Sequence, residues 1–96
     1  MYRITKTDQL TSKKEVVEIY TDRNESANKS QANMDLMDIR SQYVDSILSP
    51  IISNEKGLSF AVSRIGQHLI YQVEQFDPHF DELSEVFNPN FNPQMN

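Results

Sequence analysis

The sequence contains no cysteine and only two glycines, Gly57 and Gly66. Without cysteine, the chain can form neither a disulfide bond nor a thiolate zinc site, and it has no thiolate nucleophile. Two isolated glycines cannot supply the glycine-rich loop of a P-loop enzyme or the G-x-G-x-x-G pattern of dinucleotide-binding domains. These absences exclude several large enzyme classes.

Long apolar runs are also missing. No stretch approaches the roughly 18 apolar residues that cross a bilayer, and the opening MYRITKTDQL lacks the apolar core of a signal peptide. We therefore expect a cytoplasmic protein with no membrane contact. At 96 residues, the chain has room for a single domain.

Basic residues are scarce, with 9 Lys and Arg against 14 Asp and Glu, which gives a net charge of -5. A field of this sign repels phosphate backbones, so we do not expect nucleic-acid binding. The basic cluster of Arg3, Lys6, Lys13 and Lys14 has no interleaved aromatic side chains and is best interpreted as a solvated loop.

The stretch from Gly57 to Phe76 alternates between apolar and polar residues on both sides of Gly66-Gln67, which predicts a β-hairpin with a type II′ turn. In that hairpin Val62 faces Tyr71, Phe60 faces Val73, and one face of the sheet is apolar. The apolar face comprises Leu58, Phe60, Val62, Leu69, Tyr71 and Val73. A helix is the alternative, since several of these residues also recur at helical spacing.

Three further elements are predicted. The segments YRITKT and EVVEIYT, joined by DQLTSKK, favour a first hairpin. Asp22, with Glu25 three residues on, is typical of a helix N-cap. The apolar stripe of the helix that follows continues almost to Pro50, where the helix should end. Its residues are Ala32, Leu36, Met37, Ile39, Tyr43, Val44, Ile47 and Leu48.

A short C-terminal helix completes the predicted fold. Asp77-Pro78 resembles a helix start, Phe80, Leu83 and Phe87 share one face, and Pro89 ends the pattern. We therefore predict an α+β domain over residues 1–87 in the order ββαββα, with an antiparallel four-stranded sheet built from two hairpins. Residues 88–96 form an Asn- and Pro-rich tail that is either flexible or a docking segment.

Catalytic and metal-binding patterns are weak. The two histidines are His68, beside the predicted turn, and His79, and neither belongs to a nucleophile-base pattern. The acids around His79 are explained by the favourable position of carboxylates at a helix N-terminus. We therefore predict no enzyme activity, no metal and no cofactor.

Arg40 lies within the apolar stripe of the long helix, and Arg64 lies on the apolar face of the second hairpin. Paired guanidinium groups bind carboxylates and phosphates, so an anionic ligand such as a nucleotide could bind between helix and sheet. The simpler interpretation is that each stem packs on the core while its charged end reaches solvent.

The C-terminal region combines phenylalanines with acids and repeats Phe-Asn-Pro, which suits docking to a partner with an apolar groove and a basic rim. The predicted partner-binding residues are Phe80, Asp81, Glu82, Glu85, Phe87 and Phe91. The sequence thus favours a small non-enzymatic interaction protein. By size and composition it resembles the inhibitors, adaptors and accessory factors of phages and mobile elements. Exposed strand edges would also allow a homodimer.

Overall fold

The structure, a computed structural model, describes residues 1–77. These residues form six strands and one helix: β1 (Tyr2–Asp8), β2 (Lys13–Tyr20), α1 (Glu25–Ser41), β3 (Ile47–Leu48), β4 (Ile52–Ser53), β5 (Leu58–Arg64) and β6 (Gln67–Gln75). The strands make one antiparallel sheet in the order β2-β1-β6-β5-β3, and β4 pairs with β5 as well.

The predicted fold, a four-stranded sheet with two helices, is wrong. Residues 1–77 form a six-stranded antiparallel sheet and one helix. The predicted C-terminal helix and the tail that follows it fall on residues 78–96, outside the described part of the chain. The two additional strands, β3 and β4, are each only two residues long.

The core lies between α1 and one face of the sheet. It comprises Tyr2, Ile4, Ala32, Leu36, Phe60, Val62, Leu69, Tyr71 and Val73. Strands alternate their side chains between two faces, so the apolar positions of β1, β5 and β6 all face the helix. Each large side chain in this layer contributes about 1.5–3 kcal/mol through burial. The apolar face predicted for the second hairpin is confirmed, with Leu58 at its partly buried margin.

The β5–β6 hairpin is also confirmed, but its register is shifted by two residues. Arg64 pairs with Gln67 and Phe60 pairs with Tyr71, so Ile65-Gly66 forms the centre of the turn. Gly66 occupies the second central position with φ of 78°. A type II turn requires positive φ at that position, whereas the predicted type II′ turn requires it at the first. A shift of two residues keeps every side chain on the same face.

Helix α1 starts and ends at different residues from those predicted. Asn24, not Asp22, is the N-cap, because its side chain accepts hydrogen bonds from the backbone N–H groups of Ser26 and Ala27. Asp22 instead accepts a hydrogen bond from the backbone N–H of Asn24 at 2.9 Å and so orders the preceding turn. The helix ends at Ser41, well before Pro50.

Strands β3 and β4 occupy the segment around Pro50. Ile47 of β3 pairs with Ser63, and Ile52 of β4 pairs with Ser59, so both short strands lie along the outer edge of β5. Between them, Ser49 forms two hydrogen bonds with Ala61. The backbone N–H of Ser49 donates to the carbonyl oxygen of Ala61, and the Ser49 hydroxyl oxygen accepts from the backbone N–H of Ala61. Without these partners the backbone groups of β5 would be left unpaired, which is costly next to a core.

In residues 1–77 there is no helix of sufficient length and apolar character to cross a membrane.

Candidate functional site

Three β-branched side chains are exposed at the end of the sheet that carries the β5–β6 turn. Val44, Ile47 and Ile65 have relative exposures of 82%, 77% and 103%. All three line one hollow of about 600 Å³, and we call them the turn-end surface. A single exposed apolar side chain is ordinary on a protein surface, whereas several around one hollow are typical of an interaction site.

The sheet fixes most of this surface. Ile47 is held by the pairing of β3 with β5, where the next residue, Leu48, packs against the core. Ile65 occupies the first central position of the tight turn between Arg64 and Gln67. Because two of the three apolar side chains are carried by paired strands and their turn, little backbone ordering would accompany binding.

Four polar residues also line the hollow: Asp45, Ser46, Ser63 and Arg64. The hydroxyl oxygen of Ser46 is buried and has no hydrogen-bond partner within residues 1–77. The guanidinium of Arg64 lies 5.2 Å from the ring centroid of Tyr43, and its Nε donates to Gln67 Oε1 at 2.6 Å. The hollow therefore offers a binding partner an unsatisfied hydroxyl and a cation of fixed orientation.

Arg40 and Arg64 bind different groups. Arg40 donates from Nε and Nη2 to the carbonyl oxygen of Ser49, at 3.1 and 2.8 Å, and thereby ties the helix to the β3–β4 segment. Arg64 lines the turn-end hollow, as described above. The predicted joint binding of one anion by Arg40 and Arg64 thus gains no support from these contacts.

The face of the sheet opposite α1 carries a buried carboxylate. Glu74 is only 7% exposed, and it receives Arg3 Nη2 at 2.7 Å and Lys14 Nζ at 3.6 Å. On the strand pair β1–β2, Lys6 forms a salt bridge with Glu15 at 3.0 Å, and this contact holds the pKa of Glu15 below its ordinary value. The ion pairs therefore neutralise much of the basic cluster predicted from Arg3, Lys6, Lys13 and Lys14.

The outermost long strand, β2, leaves one edge of the sheet without a partner strand in residues 1–77. Two features reduce the tendency of this edge to pair with another chain. It begins with Lys13 and Lys14, and its register against β1 shifts between Ile4 and Thr5. Lysines and bulges of this kind disfavour edge-to-edge association, so the predicted homodimer gains no specific support from this edge.

Three tyrosine hydroxyls form hydrogen bonds between side chains. Tyr71 shares a hydrogen bond with the hydroxyl of Tyr43 and stacks on Phe60 with ring centroids 5.1 Å apart. The hydroxyl of Tyr20 donates to Asp35 Oδ2 at 2.6 Å. Burial is the main cause that raises the pKa of both Tyr20 and Tyr71 above its ordinary value. Both hydroxyls serve as structural hydrogen-bonding groups.

Most of the other predicted site residues lie outside the described part of the chain. They are His79 and the predicted partner-binding residues Phe80, Asp81, Glu82, Glu85, Phe87 and Phe91. His68 is exposed on β6, with Nδ1 3.1 Å from Ser63 Oγ. The described residues contain no cluster of three or more His, Cys, Asp or Glu side chains suited to a metal ion.

Sequence reasoning missed the turn-end surface because it assigned Val44 and Ile47 to the apolar stripe of a longer helix. The one available indication was Ile65, an aliphatic residue next to a turn glycine, where polar residues are usual.

Comparison with known proteins identifies no matching family model, and neither a curated protein nor a solved structure shows significant similarity to the chain.

Proposed function

We propose that this chain is a small protein-interaction module and that the turn-end surface is where it contacts its partner. The observation that supports this function is the exposure of Val44, Ile47 and Ile65 around one hollow. Apolar surface of this kind is hydrated at a cost in free energy that a binding partner would remove.

The size of the surface suits a modest contact. Burying each of the three side chains is worth about 1.5–3 kcal/mol before the cost of association is subtracted. The unsatisfied Ser46 hydroxyl and the oriented Arg64 guanidinium add polar groups that favour one docking geometry over others. The matching partner surface is apolar, with a hydrogen-bonding group opposite Ser46.

The test compares two variants that each place a charge on an exposed isoleucine. Ile65→Asp changes the turn-end surface, whereas Ile52→Asp changes a β4 residue that is 51% exposed and does not line the hollow. Both variants should melt close to wild type, because neither side chain belongs to the core. We expect affinity purification from cells of the source organism to recover a partner with wild type and Ile52→Asp but not with Ile65→Asp.

Recovery of the same partner by all three proteins would contradict the proposal. Sedimentation equilibrium on the same proteins separates two kinds of partner. If the partner is a second copy of this chain, wild type and Ile52→Asp dimerise and Ile65→Asp does not.

A further inference from the structure

A second hollow, of about 620 Å³, lies between the first half of α1 and the loop that joins β4 to β5. The helix contributes Lys29 and Asn33, and the loop contributes Asn54, Glu55 and Lys56. We call this site the helix–loop cleft. Its volume is within the range of small-molecule binding sites, which is roughly 300–1,000 Å³. It shares no lining residue with the turn-end hollow.

One wall of the cleft carries an unsatisfied acceptor. The side-chain oxygen of Asn33 is buried and accepts no hydrogen bond from any residue between 1 and 77. Lys29 lies one helical turn before Asn33, so both side chains are on the same side of α1. A buried acceptor without a donor destabilises a fold, and the penalty is relieved when a bound molecule supplies an O–H or N–H group.

The two lysines come from opposite walls and neither forms a salt bridge with the described residues. Glu55 is the acidic residue in the lining, so the charged groups of the cleft sum to a positive value on a chain whose net charge is -5. Such a local reversal of sign favours an anion at this site.

The loop wall is already ordered. Asn54 Oδ1 accepts hydrogen bonds from the backbone N–H groups of Lys56 and Gly57 at 2.9 and 3.1 Å, and Asn54 Nδ2 donates to Gln72 at 2.8 Å. Gly57 is packed so closely on β6 that a Cβ atom there would lie 2.5 Å from the carbonyl oxygen of Val73. The backbone that carries Lys56 is thus held in place before any ligand arrives.

We propose that the helix–loop cleft binds a small phosphate monoester that carries an additional hydrogen-bond donor. The phosphate lies between the ammonium groups of Lys29 and Lys56, and a ligand O–H or N–H donates to the Asn33 oxygen. A phosphate dianion with three terminal oxygens can accept from two ammonium groups that approach from different directions. The proposal is independent of the turn-end surface, and it places an anion site between helix and sheet at residues other than Arg40 and Arg64.

The experiment titrates ¹⁵N-labelled protein and monitors its backbone amide signals by NMR. The separate probes are adenosine 5′-monophosphate, inorganic phosphate and adenosine. Concentrations up to about 10 mM cover a site of millimolar affinity. We expect saturable shifts at Lys29, Asn33 and Lys56 with the monophosphate, weaker binding of inorganic phosphate, and no saturation with adenosine.

Variants separate the cleft from net charge. The double variant Lys29→Met with Lys56→Met should weaken monophosphate binding at least about tenfold, because it removes both charge-assisted hydrogen bonds. The matched control, Lys13→Met with Arg23→Met, loses the same charge elsewhere and should bind as wild type does. Asn33→Leu should remain folded and lose the preference for the monophosphate over inorganic phosphate.

Two results would overturn the proposal. One is the absence of saturable shifts with both the monophosphate and inorganic phosphate. The other is equal weakening in the cleft double variant and in its charge-matched control. If Asn33→Leu keeps the full preference for the monophosphate, the assigned role of the Asn33 oxygen is wrong.

Discussion

Replacing Gly57 by alanine should be among the most damaging small substitutions in this fold. Gly57 has φ of 151°, a conformation that residues with a side chain rarely adopt. The added Cβ would also lie 2.5 Å from the carbonyl oxygen of Val73 and 3.2 Å from its Cγ1 atom. Val73 is fully buried in β6, so the backbone it belongs to cannot move aside without disturbing the core.

The size of the effect follows from these two contributions. Backbone strain at a residue forced into such a conformation destabilises the fold by about 1–3 kcal/mol. The close contact of the added Cβ with the Val73 backbone destabilises it by about a further 1–3 kcal/mol. Together they give a loss of about 2–6 kcal/mol in the free energy of unfolding, against roughly 5–15 kcal/mol for a typical domain.

Gly66→Ala is the matched control. Gly66 also has positive φ, at 78°, but nothing lies within 4 Å of the position its Cβ would take. The control therefore carries only the left-handed backbone cost of about 1–2 kcal/mol. Urea unfolding followed by circular dichroism gives both values. If Gly57→Ala is no more destabilising than Gly66→Ala, the close packing of the β4–β5 loop on β6 is refuted.

Two other predictions concern the helix start and the strand pair β1–β2. Asn24→Ala should lower the free energy of unfolding by about 1 kcal/mol in urea titrations, whereas Asp22→Ala should cost less, and the reverse order would show that Asp22 is the cap. Lys6→Met should raise the pKa of Glu15 towards its ordinary value in a carboxyl NMR titration, because Lys6 is the main cause of its lowered pKa. A lowered pKa in the folded state stabilises the protein above the unfolded value, and that contribution is lost as pH falls through the folded pKa. An unchanged Glu15 pKa in Lys6→Met would contradict this account.

Periodicity predicted the buried face of β5 and β6 but not their register. The alternation on both sides of Gly66 identified which side chains of β5 and β6 are buried. The register depended on whether glycine occupies the first or second central position of the turn, and both choices leave the same faces apolar. Local sequence therefore could not decide between them.

The predicted end of the helix was wrong because contacts with a distant strand decide where the helix stops. The apolar pattern from Ala32 continues through Ile47, so the sequence alone favours a longer helix. In the structure, the outer edge of β5 provides backbone partners for Ile47 and Ile52. The partner of Ile47 is Ser63, which is distant along the chain. A pattern within one segment carries no information about an open edge elsewhere.

The sequence analysis predicted neither the turn-end surface nor the helix–loop cleft. Arg64 does line a surface hollow, but Val44, Ile47 and Ile65 surround it rather than Arg40. The cationic groups of the helix–loop cleft, Lys29 and Lys56, are ordinary surface lysines by sequence. Only the packing of the β4–β5 loop opposite α1 brings them to one hollow.

The position of β1 between β2 and β6 has a consequence for synthesis in the cell. β1 pairs with β2 through a local turn and with β6 from the far end of the described chain, so Ile4 lies opposite Val73. At about 5–20 residues per second, a ribosome needs roughly 3–14 s to proceed from one to the other. During that interval β1 and β2 can form a hairpin, but β6, the second strand that pairs with β1, has not yet been synthesised. The nascent chain is then most exposed to aggregation or chaperone binding, and slower translation would lengthen that period.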